Sequence, residues 1–286
     1  MSLQQTAVLS GICDILVGIT EEGRGDEAAS SLGYGLTLAR AASAHLTVQS
    51  ASIRFMTTAL PLCGFADELV VAENCRLASL ARSAAERAAS DAERAGVTCT
   101  TESPSLMHHE LVARLSARTR LHDLIVLDAE PLAVAPDRDL MEGVLFRSGR
   151  PVIVVPAGHN AFSARRLIVA WDGSAQAARA ANDAMPFLRA AEAVEIVCVG
   201  DAEKLLSSVP GVEFAPHLAR HGVEVTVKDR PLEVDVAETL RREAALFRAD
   251  MIVMGAYRHS RVREWFLGGV TQSLLARSPV PLFLAH

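Results

Sequence analysis

The chain has 286 residues, half of them hydrophobic, and a formal net charge of −6 at pH 7, which fits one large domain or two ordinary ones. The acidic balance argues against sequence-independent nucleic-acid binding, and no segment approaches the ~18 apolar residues of a membrane span. The five cysteines form no Cys-x-x-Cys pair and the N-terminal region shows no signal peptide, so we expect a cytoplasmic protein without a zinc or redox site.

Taken in chain order, short β-branched runs alternate with longer helical patterns. Predicted strands of the first half lie at residues 15–19, 46–51, 97–100, 124–127 and 152–155, and those of the second half at 167–170, 194–199, 223–227, 251–254 and 282–284. The clearest helical patterns span 67–94 and 234–248. Continuous apolar strands indicate parallel sheets covered on both faces, so the predicted fold class is α/β, with doubly wound, Rossmann-like domains.

The two halves repeat each other block by block, which indicates an internal duplication. Matching residues stand at equivalent places: Gly96 and Gly222 before the third strands, Asp123 and Asp250 before the fourth, and Pro151 and Pro281 before the fifth. Residues 156–163 read as a linker. We therefore predict two domains in tandem, 1–157 and 164–286. Between its second and third strands the second half is shorter, with a short helix that Pro210, Gly211 and Pro216 are expected to break.

The fourth predicted strand of the second half ends in Gly255, and Gly268 and Gly269 open the next helical run. A glycine at a strand end lets backbone N–H groups approach an anion, and the N-terminus of a helix adds favourable partial charge. The first half has Asp128 where the second has Gly255. The second half alone is therefore predicted to hold phosphate groups.

Three short motifs stand where predicted strands end. They are Asp172-Gly173-Ser174 after the first strand of the second half, Val199 at the end of the second, and Gly255 with Gly268-Gly269 after the fourth. With these motifs the second half resembles the universal stress protein family, and the chain resembles a tandem pair of such domains. The resemblance implies an adenine-nucleotide alpha-hydrolase-like fold and, in many members, bound ATP.

In ATP-binding members of that family, the phosphate motif is glycine, two residues, glycine, nine residues, then glycine and a serine or threonine. Gly255 and Gly268 match its first and third glycines, Arg258 stands at the second, and Gly269 replaces the hydroxyl residue. The resemblance also implies that Asp172 contacts the nucleoside and that the backbone of Val199 contacts adenine. The predicted nucleotide site comprises Asp172, Gly173, Ser174, Val199, Gly255, Arg258, Gly268, Gly269, Val270 and Thr271.

Departures from the motif leave alternatives open. Arg258 either obstructs the phosphates or clamps them with its guanidinium, while Gly269 forgoes one hydrogen bond, worth about 1 kcal/mol net, which Thr271 replaces poorly. In the first half Thr20 stands where Asp172 would be, and Asp128 with Glu130 would repel a triphosphate, so we expect no ATP there.

Plainer interpretations of the same residues remain. Gly255 and Gly268-Gly269 also suit a tight turn and a helix start, and Asp172 also suits a helix N-cap. No catalytic motif and no metal-ligand set is predicted. The favoured function is a stress-response module that binds or senses ATP or AMP, with Mg²⁺ on the phosphates. The alternatives are a nucleotide-free structural or interaction protein acting through dimerisation, and a weak Mg²⁺-dependent ATPase using Asp172.

The resemblance also implies how the halves assemble. We expect an intramolecular pseudo-dimer in which the fifth strands, 152–155 and 282–284, pair across a pseudo-two-fold axis. Such a pairing covers two sheet edges that separate domains would leave exposed. A homodimer of the whole chain is a further expectation, and the protein partner is not predicted.

Overall fold

The structure is a computed structural model that describes residues 9–21, 29–56, 64–129, 135–200, 211–232, 235–256 and 269–286. In chain order its strands are β1 (Asp14–Glu21), β2 (His45–Ile53), β3 (Cys99–Glu102), β4 (Ser105–Leu106), β5 (Leu124–Asp128), β6 (Val152–Val155), β7 (Arg166–Ala170), β8 (Ala193–Val199), β9 (Val225–Arg230), β10 (Met251–Gly255) and β11 (Leu282–Ala285). Its helices are α1 (Ser30–Ala42), α2 (Gly64–Ala95), α3 (His108–Thr119), α4 (Ala135–Arg147), α5 (Ala175–Asp183), α6 (Met185–Ala190), α7 (Gly211–Arg220), α8 (Val236–Phe247) and α9 (Gly269–Arg277).

All described strands form one sheet, in the order β3-β2-β1-β5-β6-β11-β10-β7-β8-β9, with β4 extending the pairing of β2 beyond β3. Strands within each half are parallel. The halves meet at the antiparallel pair β6–β11, in which Ile153 lies opposite Phe283. The predicted α/β class and the predicted pairing of the fifth strands are confirmed.

Duplication is visible in the contacts as well as in the strand order. Asp123 Oδ2 accepts the backbone N–H groups of Cys13 and Asp14, at 2.7 and 3.0 Å. Asp250 Oδ2 accepts the N–H groups of residues 165 and 166, both at 2.8 Å. The carboxylate before β5 therefore holds the start of β1, and the carboxylate before β10 holds the start of β7 in the same way.

Helices cover both faces of the sheet, because side chains of each strand alternate between two apolar cores. One core joins α1, α2, α5, α6 and α7 to the sheet, through residues such as Leu38, Ala88, Ala180, Phe187 and Leu218. The other joins α3, α4, α8 and α9, through Leu111, Val144, Leu240 and Leu274. Within the described part of the chain, no helix is long and apolar enough to cross a membrane.

The predicted linker contains no helix or strand, but it is packed against the first half. The Phe162 N–H donates to Thr37 Oγ1 at 2.8 Å, and the Phe162 ring lies 5.5 Å from Tyr34 and 5.9 Å from Phe187. Gly33 is needed beneath it, because a Cβ there would lie 2.6 Å from the Asn160 carbonyl oxygen. The linker is therefore part of the interface between the halves.

One expectation about local structure was wrong. Pro216 does not break the helix, because it lies inside α7. The neighbours of Pro216 explain this: Phe214 stacks on Trp171 at 3.9 Å and Leu218 is fully buried, so packing offsets one lost backbone hydrogen bond. Pro210 lies outside the described residues. The short strand β4 was also not predicted.

Candidate functional site

The strand order reverses between β7 and β10, with β8 and β9 on one side and β11 on the other. In open α/β sheets, ligands bind outside the carboxyl ends of the strands at such a switch point. There the second half places the turn after β7, the end of β8, the end of β10 and the start of α9. These are the elements that carry the predicted site.

The turn between β7 and α5 is built by its own polar side chains. Asp172 Oδ1 accepts the Ser174 N–H at 2.9 Å, and Ser174 Oγ accepts the Ala177 N–H at 3.1 Å. Gly173 takes a positive φ of 74° between them, a conformation that glycine adopts without strain. The N-cap of α5 is therefore Ser174, and the alternative role of Asp172 as N-cap is wrong. Asp172 is exposed and lies beside the N-terminus of α5.

Gly255 is required by close packing of backbone on backbone. A Cβ at this position would lie 2.5 Å from Ala177 N and 2.5 Å from the carbonyl carbon of Gln176. The end of β10 therefore rests directly on the first turn of α5. This close approach, rather than a tight turn, explains the glycine, because its φ is not positive.

The first turn of α9 contributes less than the sequence predicts. Gly269 is exposed, and a Cβ there would meet no atom within 4 Å, so space does not require a glycine. Val270 packs on the core. Thr271 is only 3% exposed, so its hydroxyl lies within the protein. Arg258 and Gly268 lie outside the described residues, as does Glu130 of the first half.

Val199 ends β8 opposite Arg230 of β9, and it packs beside the core at the same edge. The preceding residue, Cys198, is buried, and this burial raises the pKa of its thiol to about 11. The thiol is therefore protonated at neutral pH and is a poor nucleophile. Among the residues that the structure describes, no group of three or more His, Cys, Asp and Glu side chains is placed to hold a metal ion.

A groove of about 470 Å³ lies between α5 and α7. It was not predicted from the sequence. It reaches Gly173 and Ser174. It is lined by the stacked rings of Trp171 and Phe214, whose planes differ by 6°. The only sign of this groove in the sequence was Trp171, the aromatic residue directly before Asp172. Its partner Phe214 could not be found, since it lies 43 residues along the chain (214 − 171).

The first half has an equivalent switch point between β1 and β5, and Asp128 fills it. Asp128 Oδ1 accepts the Ser31 N–H and Oδ2 accepts the Ser31 hydroxyl, both at 2.7 Å. Ser30 N–H adds a further hydrogen bond. Burial raises the pKa of Asp128, while these hydrogen bonds oppose the increase. The carboxylate therefore faces the N-terminus of α1, rather than an approaching ligand as the sequence suggested.

Comparison with known proteins agrees with this architecture. Residues 163–286 match the universal stress protein family. The chain is similar in structure to a universal stress protein from Archaeoglobus fulgidus DSM 4304, with a TM-score of 0.70, 19% identity and 95% of each chain covered. A protein of unknown function from Pseudomonas aeruginosa PAO1 aligns with a TM-score of 0.58 and 14% identity, over 97% of this chain and 93% of that one.

These identities are low, so the solved structures establish the fold alone. No curated protein matches the sequence of the chain. The family match begins at Ser163, one residue before the predicted second domain. The chain therefore carries, at residues 163–286, a domain of the universal stress protein family.

Proposed function

We propose that the protein is a cytoplasmic stress-response module that binds or senses an adenine nucleotide, ATP or AMP, at the switch point of its second half. The observation that carries this proposal is the bare strand end at Gly255, which rests on the first turn of α5. Because no side chain separates them, the end of β10 and the first turn of α5 lie together at the edge where we propose that a ligand binds. The helix N-termini of α5 and α9 flank that edge from opposite faces of the sheet and favour negative charge.

Each predicted site residue has a proposed part. The Asp172 carboxylate takes the nucleoside hydroxyls, and the backbone of Val199 takes the adenine edge. Gly173 and Ser174 hold Asp172 in place through the turn. We place the phosphates, with Mg²⁺, towards Gly255 and the first turn of α9, which holds Gly269, Val270 and Thr271; Gly268 and the cationic Arg258 are proposed as further contacts. The domains proposed for this arrangement are 1–157 and 164–286.

Thermal unfolding with and without Mg-ATP or Mg-AMP tests the proposal. A ligand present at a hundred times its Kd stabilises the folded state by about 2.7 kcal/mol, so a clear rise in Tm is expected. Asp172→Asn preserves an acceptor for the Ser174 N–H and removes the charge, and it should lose most of the rise. Thr20→Ala, at the matching position of the first half, should retain it.

A flat response of the wild-type protein at millimolar nucleotide would reject nucleotide binding. Loss of the rise in Thr20→Ala but not in Asp172→Asn would move the site to the first half. ATP turnover above that of an Asp172→Ala control would instead support the weak ATPase.

A second candidate is a nucleotide-free interaction protein, which exposed apolar side chains after β2 and in the first part of α2 favour. Phe55, Met56, Leu69 and Val71 are 52–70% exposed. The Asn74 side chain makes two hydrogen bonds, both 2.9 Å, with the backbone of Phe55, which holds this strand end against α2. Exposed apolar side chains of this size favour protein contact. Sedimentation of wild type and Met56→Ser should show self-association that weakens in the variant if this candidate is correct.

A further inference from the structure

His286 follows β11 and is hydrogen bonded to the residue after Gly255. Its Nδ1 lies 2.9 Å from the carbonyl oxygen of Ala256. A carbonyl oxygen only accepts, so Nδ1 carries the proton and donates it. The Ala256 N–H donates to the Ala285 carbonyl oxygen at 2.8 Å. Both backbone polar groups of Ala256 are therefore bonded to the end of β11.

The first half has only one of these two bonds. Strand register makes Ala129 the counterpart of Ala256, because Asp128 pairs with Val155 as Gly255 pairs with Ala285. The Ala129 N–H donates to the Val155 carbonyl oxygen at 2.7 Å. The next residue is Pro156, whose side chain has no donor. The bond from His286 is therefore specific to the half that carries the proposed nucleotide site.

The His286 ring is oriented by a residue of the first half. Phe146, near the end of α4, meets it edge to face, with ring centroids 4.8 Å apart and an interplanar angle of 85°. Aromatic pairs favour this arrangement. α4 precedes β6 in the chain, so the contact crosses the junction between the halves. A side chain of the half predicted to bind no nucleotide thus reaches a residue bonded beside the proposed site.

We propose that His286, held by Phe146, is a positioning residue for the strand end Gly255–Ala256, and that the first half thereby raises the nucleotide affinity of the second. This inference rests on the proposed function. The bond fixes the Ala256 carbonyl, and so the peptide plane that follows Ala256, before a ligand arrives. A strand end that is already ordered loses less conformational freedom on binding, and this increases affinity.

Titration calorimetry of the full chain with Mg-ATP tests the proposal through variants that separate the two contacts. His286→Phe keeps a ring for Phe146 and removes the donor, so affinity should fall about fivefold, the ratio expected for one net hydrogen bond. His286→Asn places an amide N–H close to the former Nδ1 but gives up the ring contact with Phe146, so affinity should fall about two- to threefold, less than in His286→Phe. Phe146→Leu should fall about two- to threefold, since ring orientation is lost but the donor remains. Pro156→Ala, the matched control, should bind as wild type does.

A second measurement, without nucleotide, distinguishes failure of this inference from failure of the proposed function. Hydrogen exchange of the Ala256 amide should accelerate about fivefold in His286→Phe, and by a smaller factor in Phe146→Leu and in His286→Asn, which lose the ring contact but keep a donor. If wild type binds no nucleotide, the proposed function fails, and the exchange rates still decide whether His286 orders Ala256. Unchanged exchange in both His286→Phe and Phe146→Leu overturns the inference. A loss of affinity or protection in His286→Asn as large as in His286→Phe also overturns it, because the donor would then not be the cause.

Discussion

The two switch points of the sheet share a strand arrangement and differ at one strand end, which is Asp128 in β5 and Gly255 in β10. Asp128 supplies its own carboxylate to the N-terminus of α1 through Ser31. Gly255 supplies no side chain, and the N-terminus of α5 is capped locally by Ser174. In the first half the anion that a helix N-terminus favours is therefore covalently part of the chain. In the second half we propose that a ligand takes that role.

Under the proposed function, this difference removes a binding site from one duplicated domain and leaves its fold intact. An anion entering the first half would have to displace Asp128 from two 2.7 Å hydrogen bonds and would meet a like charge. At the opposite edge of the sheet, Asp123 and Asp250 accept equivalent backbone N–H groups in the two halves. Duplication has preserved the contacts that build the sheet and changed those at the ligand-binding edge.

The largest effect is expected from giving the second half the side chain of the first. Gly255→Asp should destabilise the protein by about 2–3 kcal/mol, because the new Cβ overlaps the backbone of α5. It should also abolish nucleotide binding. Urea unfolding and a nucleotide thermal shift measure the two effects. Gly269→Ala is the control, since open space surrounds that position, and its stability should be unchanged or slightly higher.

Removing the internal anion of the first half should have a smaller effect. Asp128→Ala leaves the Ser31 N–H and hydroxyl without their acceptor and should cost about 1–2 kcal/mol in urea unfolding. Asp128→Asn retains an acceptor and should cost less. Ser174→Ala, which removes the local cap of α5, should cost about 1 kcal/mol. If Asp128→Ala is neutral, the carboxylate is not what holds the start of α1.

The shared edge provides a matched pair of variants. Asp123→Ala and Asp250→Ala each remove a carboxylate that accepts two backbone N–H groups, and each should cost about 1–2 kcal/mol. The expected result is near equality of the two losses, again by urea unfolding. A difference above about 1 kcal/mol would show that the halves diverge at this edge as well.

The smallest expected effect is a pH dependence at Asp128. Burial raises its pKa in the folded state, so between its ordinary value near 3.8 and the raised value the folded protein binds more protons than the unfolded chain. The contribution to stability is then fully present below the ordinary value and is lost as pH rises through the raised one. Wild type should therefore gain stability relative to Asp128→Asn as pH falls from 7 towards 4. A gap that is constant with pH would contradict the raised pKa.

Much of the scaffold was predictable from local patterns. The strand at residues 152–155 was predicted with its observed limits, and β7 and β11 differ from prediction by one residue at an end. Buried parallel strands are continuous apolar runs, and Gly96 and Gly222, both of positive φ, mark the turns before the third strands. Repetition of these patterns indicated the tandem arrangement, and the resemblance to a known family implied the antiparallel junction.

The site was less predictable, because its contacts join distant residues. Ser31 lies 97 positions from Asp128, and no local pattern indicates that the carboxylate turns towards it. Asp172 and Ser174 are both good capping residues, and only the backbone geometry of the turn selects Ser174. The glycine at 255 was identified, but its reason, contact with α5, depends on how helix and sheet pack. Nothing in the sequence links Phe146 to His286.

The antiparallel junction between β6 and β11 has a consequence for how the chain folds. Ile153 and Phe283 are paired although 130 positions separate them (283 − 153), more than the 109 positions between the paired residues Ile15 and Leu124 within the first half (124 − 15). Each half is therefore expected to form first and to present a short apolar strand until the other half docks. A second copy of the chain presents the same strand in the same geometry. Refolding at high protein concentration therefore favours domain-swapped dimers, in which the halves of different chains pair. The linker that packs Phe162 against Tyr34 keeps the correct partner close and opposes this exchange.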